Sequence, residues 1–168
     1  MKTFKETKNS VIKKIFFSVV LFAIIFIQNS FAQSVNQPSA ILNTYYGLKD
    51  ALMAGNSGDA SAKAEEFIKA ANGIDYKIIS EGNINILLKD ATAISEGKSI
   101  SEQRLDFANL SANVLALAKS QKLSDQPIYA AYCPMKKAYW LSSDKTIKNP
   151  YFGNTMPTCG KVVETINQ

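Results

Sequence analysis

Two short peptides in the sequence each combine a thiol with a thioether. Cys133 and Met135 are two residues apart, and Met156 and Cys159 are three residues apart. Residues two apart on an extended strand point to the same side, and residues three apart converge in a turn, which Pro157 favours. Thiolates and thioethers are soft donors that favour Cu(I) or Ag(I) over Zn(II). The spacing therefore predicts a Cu(I) or Ag(I) site made by Cys133, Met135, Met156 and Cys159.

A disulfide between Cys133 and Cys159 is the alternative, because two cysteines in a small exported protein usually pair. Closing this loop would stabilise the fold by roughly 3 to 4 kcal/mol. Met135 and Met156 would then fill the core, and no metal would bind. The two interpretations can coexist if the reduced form binds metal and the oxidised form does not.

Composition excludes several classes of function. The chain contains no histidine, which removes Ser-His-Asp and Cys-His catalysis, HExxH zinc chemistry and histidine-bound haem. From residue 33 onward, 14 basic residues face 13 acidic ones, so no nucleic-acid partner is expected. Catalytic pairs could be drawn between Tyr45 and Lys49 or between Asp50 and Arg104, but such pairs are usually surface contacts. The sequence predicts no enzyme.

The first 32 residues have the three parts of a secretory signal. Five lysines in residues 2–14 precede an apolar run of 13 residues at 15–27, and Ser30 and Ala32 provide small residues for cleavage. A membrane span would need about 20 apolar residues. We therefore expect residues 1–32 to be removed, leaving residues 33–168 as one periplasmic or secreted domain with no membrane attachment.

Apolar periodicity predicts a mainly α fold, a bundle of about four helices over 38–119, with α+β as the alternative. Helices are predicted from Pro38 to Gly55, from an Asp59 N-cap to Asn72, from Ile84 to Ile94, and from a Ser99 capping box to about Lys119. Residues 127–166 form a second segment. There, Ile128–Tyr132 and Ala138–Leu141 predict a β-hairpin, followed by a turn and a short element over Val162–Ile166.

Two features of these elements have two interpretations each. Arg104 falls on the apolar side of the last helix, where it either extends to water or forms a buried pair or a carbonyl clamp that ties the bundle to the C-terminal segment. The aromatic residues of the second segment either cover the core or form a face that contacts a partner protein. Those residues are Tyr129, Tyr139, Trp140, Tyr151 and Phe152.

Five segments of the chain resemble the family called domain of unknown function 3347. They are Tyr45–Leu52, Arg104–Ser111, Tyr132–Met135, Tyr139–Ser142 and Asn149–Gly153, together with Met156, Cys159 and Gly160. The resemblance covers about residues 40–166. It implies an exported bacterial protein, of a kind that occurs alone or fused to the periplasmic adaptors of copper and silver efflux systems.

The resemblance also bears on the sulfur residues. Cys133, Met135, Met156 and Cys159 match the Cys-Pro-Met and Met-x-x-Cys-Gly positions of that family. We therefore expect an accessory module that binds Cu(I) or Ag(I) and exchanges it with the periplasmic adaptor of a heavy-metal efflux system. The alternative function is a disulfide-stapled interaction domain with no metal and no catalysis.

Overall fold

Four helices and a small antiparallel sheet follow one another along the chain. A computed structural model describes residues 37–167, so the predictions for the signal peptide at 1–32 lie outside the described residues. The helices are α1 (Pro38–Ala54), α2 (Ser57–Asn72), α3 (Glu81–Glu96) and α4 (Ile100–Ser120). The strands are β1 (Ile128–Cys133), β2 (Ala138–Ser142) and β3 (Lys161–Ile166), with a 3-10 turn at Gly153–Thr155 between the last two. The prediction of a mainly α fold with a small β segment is confirmed.

Helix α1 has the boundaries and the buried face that its sequence predicts. Pro38 lies in the first turn, where a missing N–H costs nothing. Gly55 ends the helix in the left-handed conformation, with φ of 80°, and its N–H donates to the carbonyls of Ala51 and Leu52. The predicted apolar stripe is fully buried: Ile41, Tyr45, Leu48 and Leu52.

The starts of α2 and α3 differ from their predictions. The N-cap of α2 is Asn56, not Asp59, because the Asn56 side chain accepts a hydrogen bond from the N–H of Asp59 at 3.0 Å. Helix α3 begins at Glu81, one turn before the predicted start at Ile84, and Ser80 caps it. Its first turn is exposed and polar, so apolar periodicity could detect this helix only from its first buried residue.

Helix α4 begins with the predicted capping box. The hydroxyl of Ser99 accepts from the N–H of Glu102 at 3.2 Å, and the carboxylate of Glu102 accepts from the N–H of Lys98 at 2.8 Å. This helix packs against α3 on one side and β2 on another. Phe107, Leu110 and Val114 are fully buried, which places α4 between the helical layer and the sheet.

The C-terminal segment contains a three-stranded sheet rather than the predicted hairpin alone. Strands β1 and β2 pair as expected, with Ala130 opposite Leu141 and Cys133 opposite Ala138. Strand β3 pairs antiparallel with the other edge of β1 and gives the strand order β2-β1-β3. The element predicted at Val162–Ile166 therefore forms, but its pairing partner, 30 or so residues earlier, has no local signature in the sequence.

One buried hydroxyl joins the helices to the sheet. The Tyr45 hydroxyl lies 2.6 Å from the Ser111 hydroxyl on α4 and accepts a hydrogen bond of 3.1 Å from the N–H of Leu141 on β2. Its ring stacks on Phe107, with the ring centroids 5.3 Å apart. Three elements thus meet at one side chain with no solvent exposure.

Arg104 supplies a second connection between elements. Its Nη2 and Nε atoms donate to the carbonyl oxygen of Leu52, near the end of α1, at 2.7 and 3.3 Å. Cations near a helix C-terminus are stabilised by the carbonyls that have no partner within the helix. Gly153 sits against the guanidinium so closely that a Cβ there would lie 2.3 Å from Nη2. Arg104 therefore forms a carbonyl clamp, but the clamp joins α4 to α1 rather than to the C-terminal segment, which only packs against it at Gly153.

The Tyr45 hydroxyl should contribute measurably to stability. We expect Tyr45→Phe to lower the free energy of unfolding by about 1 to 3 kcal/mol, because the buried N–H of Leu141 loses its acceptor and Ser111 loses a partner. Urea denaturation followed by circular dichroism measures the change. Tyr46→Phe is the matched control, since the half-buried Tyr46 hydroxyl forms no hydrogen bond within residues 37–167. Equal unfolding midpoints for the two variants would contradict the prediction.

Candidate metal centre

The two cysteines lie next to different strands, at the same end of the sheet. Cys133 is the last residue of β1, and the turn that follows it closes with a 2.8 Å hydrogen bond from the N–H of Lys137 to the Cys133 carbonyl. Cys159 comes two residues before β3 begins. Because β3 pairs with β1, the sheet itself brings the two cysteines to one end.

The two thiols face each other without a covalent bond. Their Sγ atoms are 3.6 Å apart, and both residues are free cysteines. Cys133 is fully buried, whereas Cys159 is partly exposed. One sulfur is therefore fixed within the core and the other lies at its edge.

Gly160 sets the approach of Cys159 to the sheet. Its φ of 140° is one that side chains rarely adopt. A Cβ at this position would lie 2.5 Å from the Trp140 ring and 2.9 Å from the carbonyl oxygen of Tyr132. Only glycine lets the backbone next to Cys159 lie flat against Trp140, which is the single tryptophan of the chain.

Asn149 holds the two sulfur peptides together, and sequence reasoning missed it. Its side-chain Nδ2 donates to Cys133 Sγ at 3.3 Å and to the carbonyl oxygen of Cys159 at 2.6 Å. Its Oδ1 accepts from the N–H groups of Tyr151 and Phe152 at 2.8 and 3.3 Å. In sequence, Asn149 followed by proline indicates only a turn, so no local signal pointed to a partner of the thiols.

The surroundings of the two thiols shift their pKa values in opposite directions. Burial alone would raise the pKa of Cys133, but hydrogen bonds to its sulfur outweigh burial, and the pKa is lowered. The donors are the backbone of Lys136, the Asn149 side chain, the Cys159 thiol and the backbone of Met135. The pKa of Cys159 is raised, chiefly because its S–H donates to Cys133. The pair therefore ionises first at Cys133, with the remaining proton on Cys159.

The two methionines occupy the edge of the site. The Met135 side chain is 67% exposed, and that of Met156 is partly exposed. Neither belongs to the hydrophobic core, so the alternative in which both methionines fill the core is wrong. The backbone of Met135 hydrogen-bonds to the sulfurs, and the N–H of Cys159 donates to the Met156 carbonyl at 3.3 Å.

The aromatic residues of the sheet do not form the single contact face that one interpretation predicted. Trp140 and Tyr151 are buried, and their rings pack edge to face with centroids 6.2 Å apart. The Tyr151 hydroxyl donates to the carbonyl of Tyr139. Most of this aromatic set therefore covers the core, and Tyr139 alone of the five is strongly exposed.

The residue pairs considered for catalysis do not form. The Tyr45 hydroxyl is buried against Ser111, and Lys49 forms an ion pair with Asp50 at 3.0 Å. Arg104 binds a backbone carbonyl. Within residues 37–167 there is no cluster of three or more cysteine, aspartate and glutamate side chains able to hold an ion.

None of the helices described here is both long enough and apolar enough to cross a bilayer.

Comparison with known proteins places the chain in a family. Residues 41–126 match the family described as Protein of unknown function (DUF3347), and the chain belongs to it. The match begins in the first turn of α1, covers the other three helices and ends before β1, so the positions of Cys133, Met135, Met156 and Cys159 lie outside it. No curated protein and no solved structure matches the chain.

The Asn149 amide should control the ionisation of Cys133. In a Cys159→Ser background, which leaves one thiol, we expect Asn149→Asp to raise the pKa of Cys133. Aspartate keeps the acceptor for Tyr151 and Phe152 but removes the donor to sulfur and adds a negative charge. Ultraviolet absorbance of the thiolate against pH measures the shift, and the variant should need higher pH to ionise. An unchanged titration curve in a folded variant would refute this role.

Proposed function

We propose that this member of the DUF3347 family is an exported module that binds Cu(I) or Ag(I) through the thiolates of Cys133 and Cys159. Met135 and Met156 are its thioether donors. The module works in heavy-metal efflux or homeostasis, where it exchanges the ion with a periplasmic adaptor. The protein acts by binding and transfer, not by catalysis.

The distance between the two thiols is the observation that favours this function most. Two sulfurs 3.6 Å apart can share one ion with little movement. With thiolate bonds of about 2.3 Å, the S–metal–S angle would be about 100°, which leaves one side of the ion open. A thioether is suited to fill that side, and Met135 and Met156 are the candidates nearest in sequence to the thiols.

The donor set selects among metals. A structural zinc site needs four ligands, usually cysteine, histidine or carboxylate. The chain has two cysteines and no histidine, and no carboxylate joins them in a cluster within the described residues. Soft thiolate and thioether ligands without harder donors favour Cu(I) and Ag(I) instead.

Exposure of part of the site supports transfer rather than permanent storage. An ion passes between proteins by ligand exchange, which needs at least one ligand that an incoming donor can reach. Cys159 is partly exposed and Met135 is largely exposed, whereas Cys133 is fully buried. Cys133 would hold the ion while the outer ligands exchange.

A disulfide-stapled interaction domain is the second candidate. The same 3.6 Å separation would have to shorten to about 2.0 Å for a disulfide. The bond would close a loop between residues 26 apart and stabilise the fold by about 3 to 4 kcal/mol on the chain-entropy model. In this candidate Met135 and Met156, which lie outside the hydrophobic core, have no role.

Competition with a colorimetric Cu(I) chelator tests the metal-binding proposal. We expect the reduced protein to withdraw one ion per chain from the chelator, and Cys133→Ser or Cys159→Ser to abolish this uptake. Met135→Leu and Met156→Leu should each weaken binding by about tenfold or more, on the scale seen when groups around a metal site are removed. Met53→Leu is the matched control, because Met53 lies on α1 and should leave the affinity unchanged.

Thiol counting distinguishes the two candidates. The proposal expects reactive thiols in freshly isolated protein, or their recovery with reductant followed by Cu(I) uptake. Fluorescence of Trp140 gives an independent signal of Cu(I) binding at Cys159, because the Trp140 ring lies against Gly160, the residue next to Cys159. If no thiol reacts before reduction and no Cu(I) binds after it, the structural disulfide remains and the metal-binding proposal is wrong.

A further inference from the structure

We propose that the turn end of the β1–β2 hairpin is the surface on which a second protein docks, and that this partner presents an acidic face. The surface consists of Tyr132, Met135, Lys136, Lys137, Tyr139 and Lys161, and we call it the hairpin-end surface. The inference rests on the proposed function, since it identifies the chemistry of the partner that exchanges the ion. It predicts a property of the partner that metal binding alone does not require.

The centre of the hairpin-end surface is apolar and accessible. Met135 is 67% exposed and Tyr139 is 42% exposed. The rings of Tyr139 and Tyr132 contact each other across the strands, with centroids 4.8 Å apart. Methionine and tyrosine are enriched in protein interfaces, and flexible methionine side chains adapt to a partner surface.

Strand register places a lysine beside this apolar centre. Tyr132 pairs with Tyr139 on one side and with Lys161 on the other. Residues paired in this way point to the same face of an antiparallel sheet, and Cys133, the next residue along β1, points to the opposite, buried face. Lys136 and Lys137 continue the surface around the turn.

The charge of the C-terminal segment is positive, and that of the helices is negative. Residues 127–167 contain five lysines and two carboxylates, whereas residues 37–126 contain nine basic and eleven acidic side chains. Of the two carboxylates, Glu164 is paired with Lys119 at 2.6 Å. Lys136, Lys137 and Lys161 form no ion pair with any side chain of residues 37–167. The partner that complements three unpaired lysines around an apolar centre is an acidic protein surface.

The hairpin-end surface lies at the same end of the sheet as the two cysteines. Met135 is two residues from Cys133, in the turn that joins β1 to β2. A protein docked at this end of the sheet would be close to Met135, which is exposed, and to Cys159, which is partly exposed. Incoming donors could replace these ligands while Cys133 retains the ion.

The rate of Cu(I) transfer from two synthetic peptides to the protein tests the hairpin-end surface. One peptide has a pair of methionines flanked by glutamates, and the other has lysines in place of the glutamates. Loaded with Cu(I), the glutamate peptide should transfer the ion faster to the protein, and added salt should slow it. The triple variant Lys136→Glu, Lys137→Glu, Lys161→Glu should slow this transfer by about tenfold or more, as expected for loss of electrostatic steering.

A charge-matched variant and an equilibrium measurement serve as controls. Lys77→Glu, Lys89→Glu, Lys98→Glu changes the net charge equally at exposed positions of the helical part and should leave the transfer rate unchanged. Chelator competition measures the Cu(I) affinity of both triple variants, so that a change in transfer rate is separated from a change in affinity. Equal transfer rates from the two peptides, or equal slowing in the two triple variants, would overturn the docking surface while leaving metal binding intact.

Binding of the metal-free glutamate peptide separates this inference from the proposed function. Fluorescence anisotropy of the labelled peptide should show saturable, salt-sensitive binding that the triple variant at positions 136, 137 and 161 removes. If the protein takes up no Cu(I) but binds this peptide, the docking surface stands and the metal proposal fails. If the triple variant at positions 136, 137 and 161 and added salt both leave the anisotropy unchanged, the docking surface is wrong.

Discussion

The geometry of the thiol pair depends on the buried amide of Asn149. One side chain donates to the sulfur of Cys133 and to the carbonyl of Cys159, and it also accepts from two backbone N–H groups of the following turn. Its own backbone N–H donates to the carbonyl of Pro157 at 2.9 Å. A fully buried amide is stable only when its polar atoms have partners, so the peptides containing Cys133 and Cys159 and the turn between them must adopt this arrangement together.

The helical layer provides the rigid support for that arrangement. The Tyr45 hydroxyl fixes β2 against α1 and α4, while Arg104 holds the end of α1 next to Gly153 of the C-terminal segment. Trp140 extends the same packing from β2 to Gly160. Buried aromatic rings and hydrogen bonds between elements therefore connect the bundle to the sulfur site.

The site combines a protected ligand with accessible ones. Cys133 is buried and its pKa is lowered, whereas Cys159 lies at the edge and its pKa is raised. Lys137 and Lys161 are exposed and Lys136 is partly exposed, in a C-terminal segment whose net charge is positive. This arrangement suits a protein that must hold a soft ion and also release it, because the buried sulfur of Cys133 can retain the ion while the accessible sulfurs exchange.

Local patterns were enough to predict most elements of the fold. The helix boundaries at Pro38, Gly55 and Ser99 follow from capping and glycine conformations that depend on neighbouring residues only. The β1–β2 hairpin follows from two apolar runs across a short polar turn. The sequence could also identify the four sulfur residues as candidates, because their types and spacing are local properties.

Tertiary structure alone decided how those residues are arranged. The pairing of β3 with β1 brings Cys159 to within 3.6 Å of Cys133 although 26 positions separate them. Trp140 and Tyr151, which the sequence left as a possible contact face, are buried in the folded chain. Asn149 looked like an ordinary turn residue, since the partners of its side chain lie 10 and 16 positions away. Such contacts depend on which surfaces meet when the chain packs, and periodicity within one element contains no information about them.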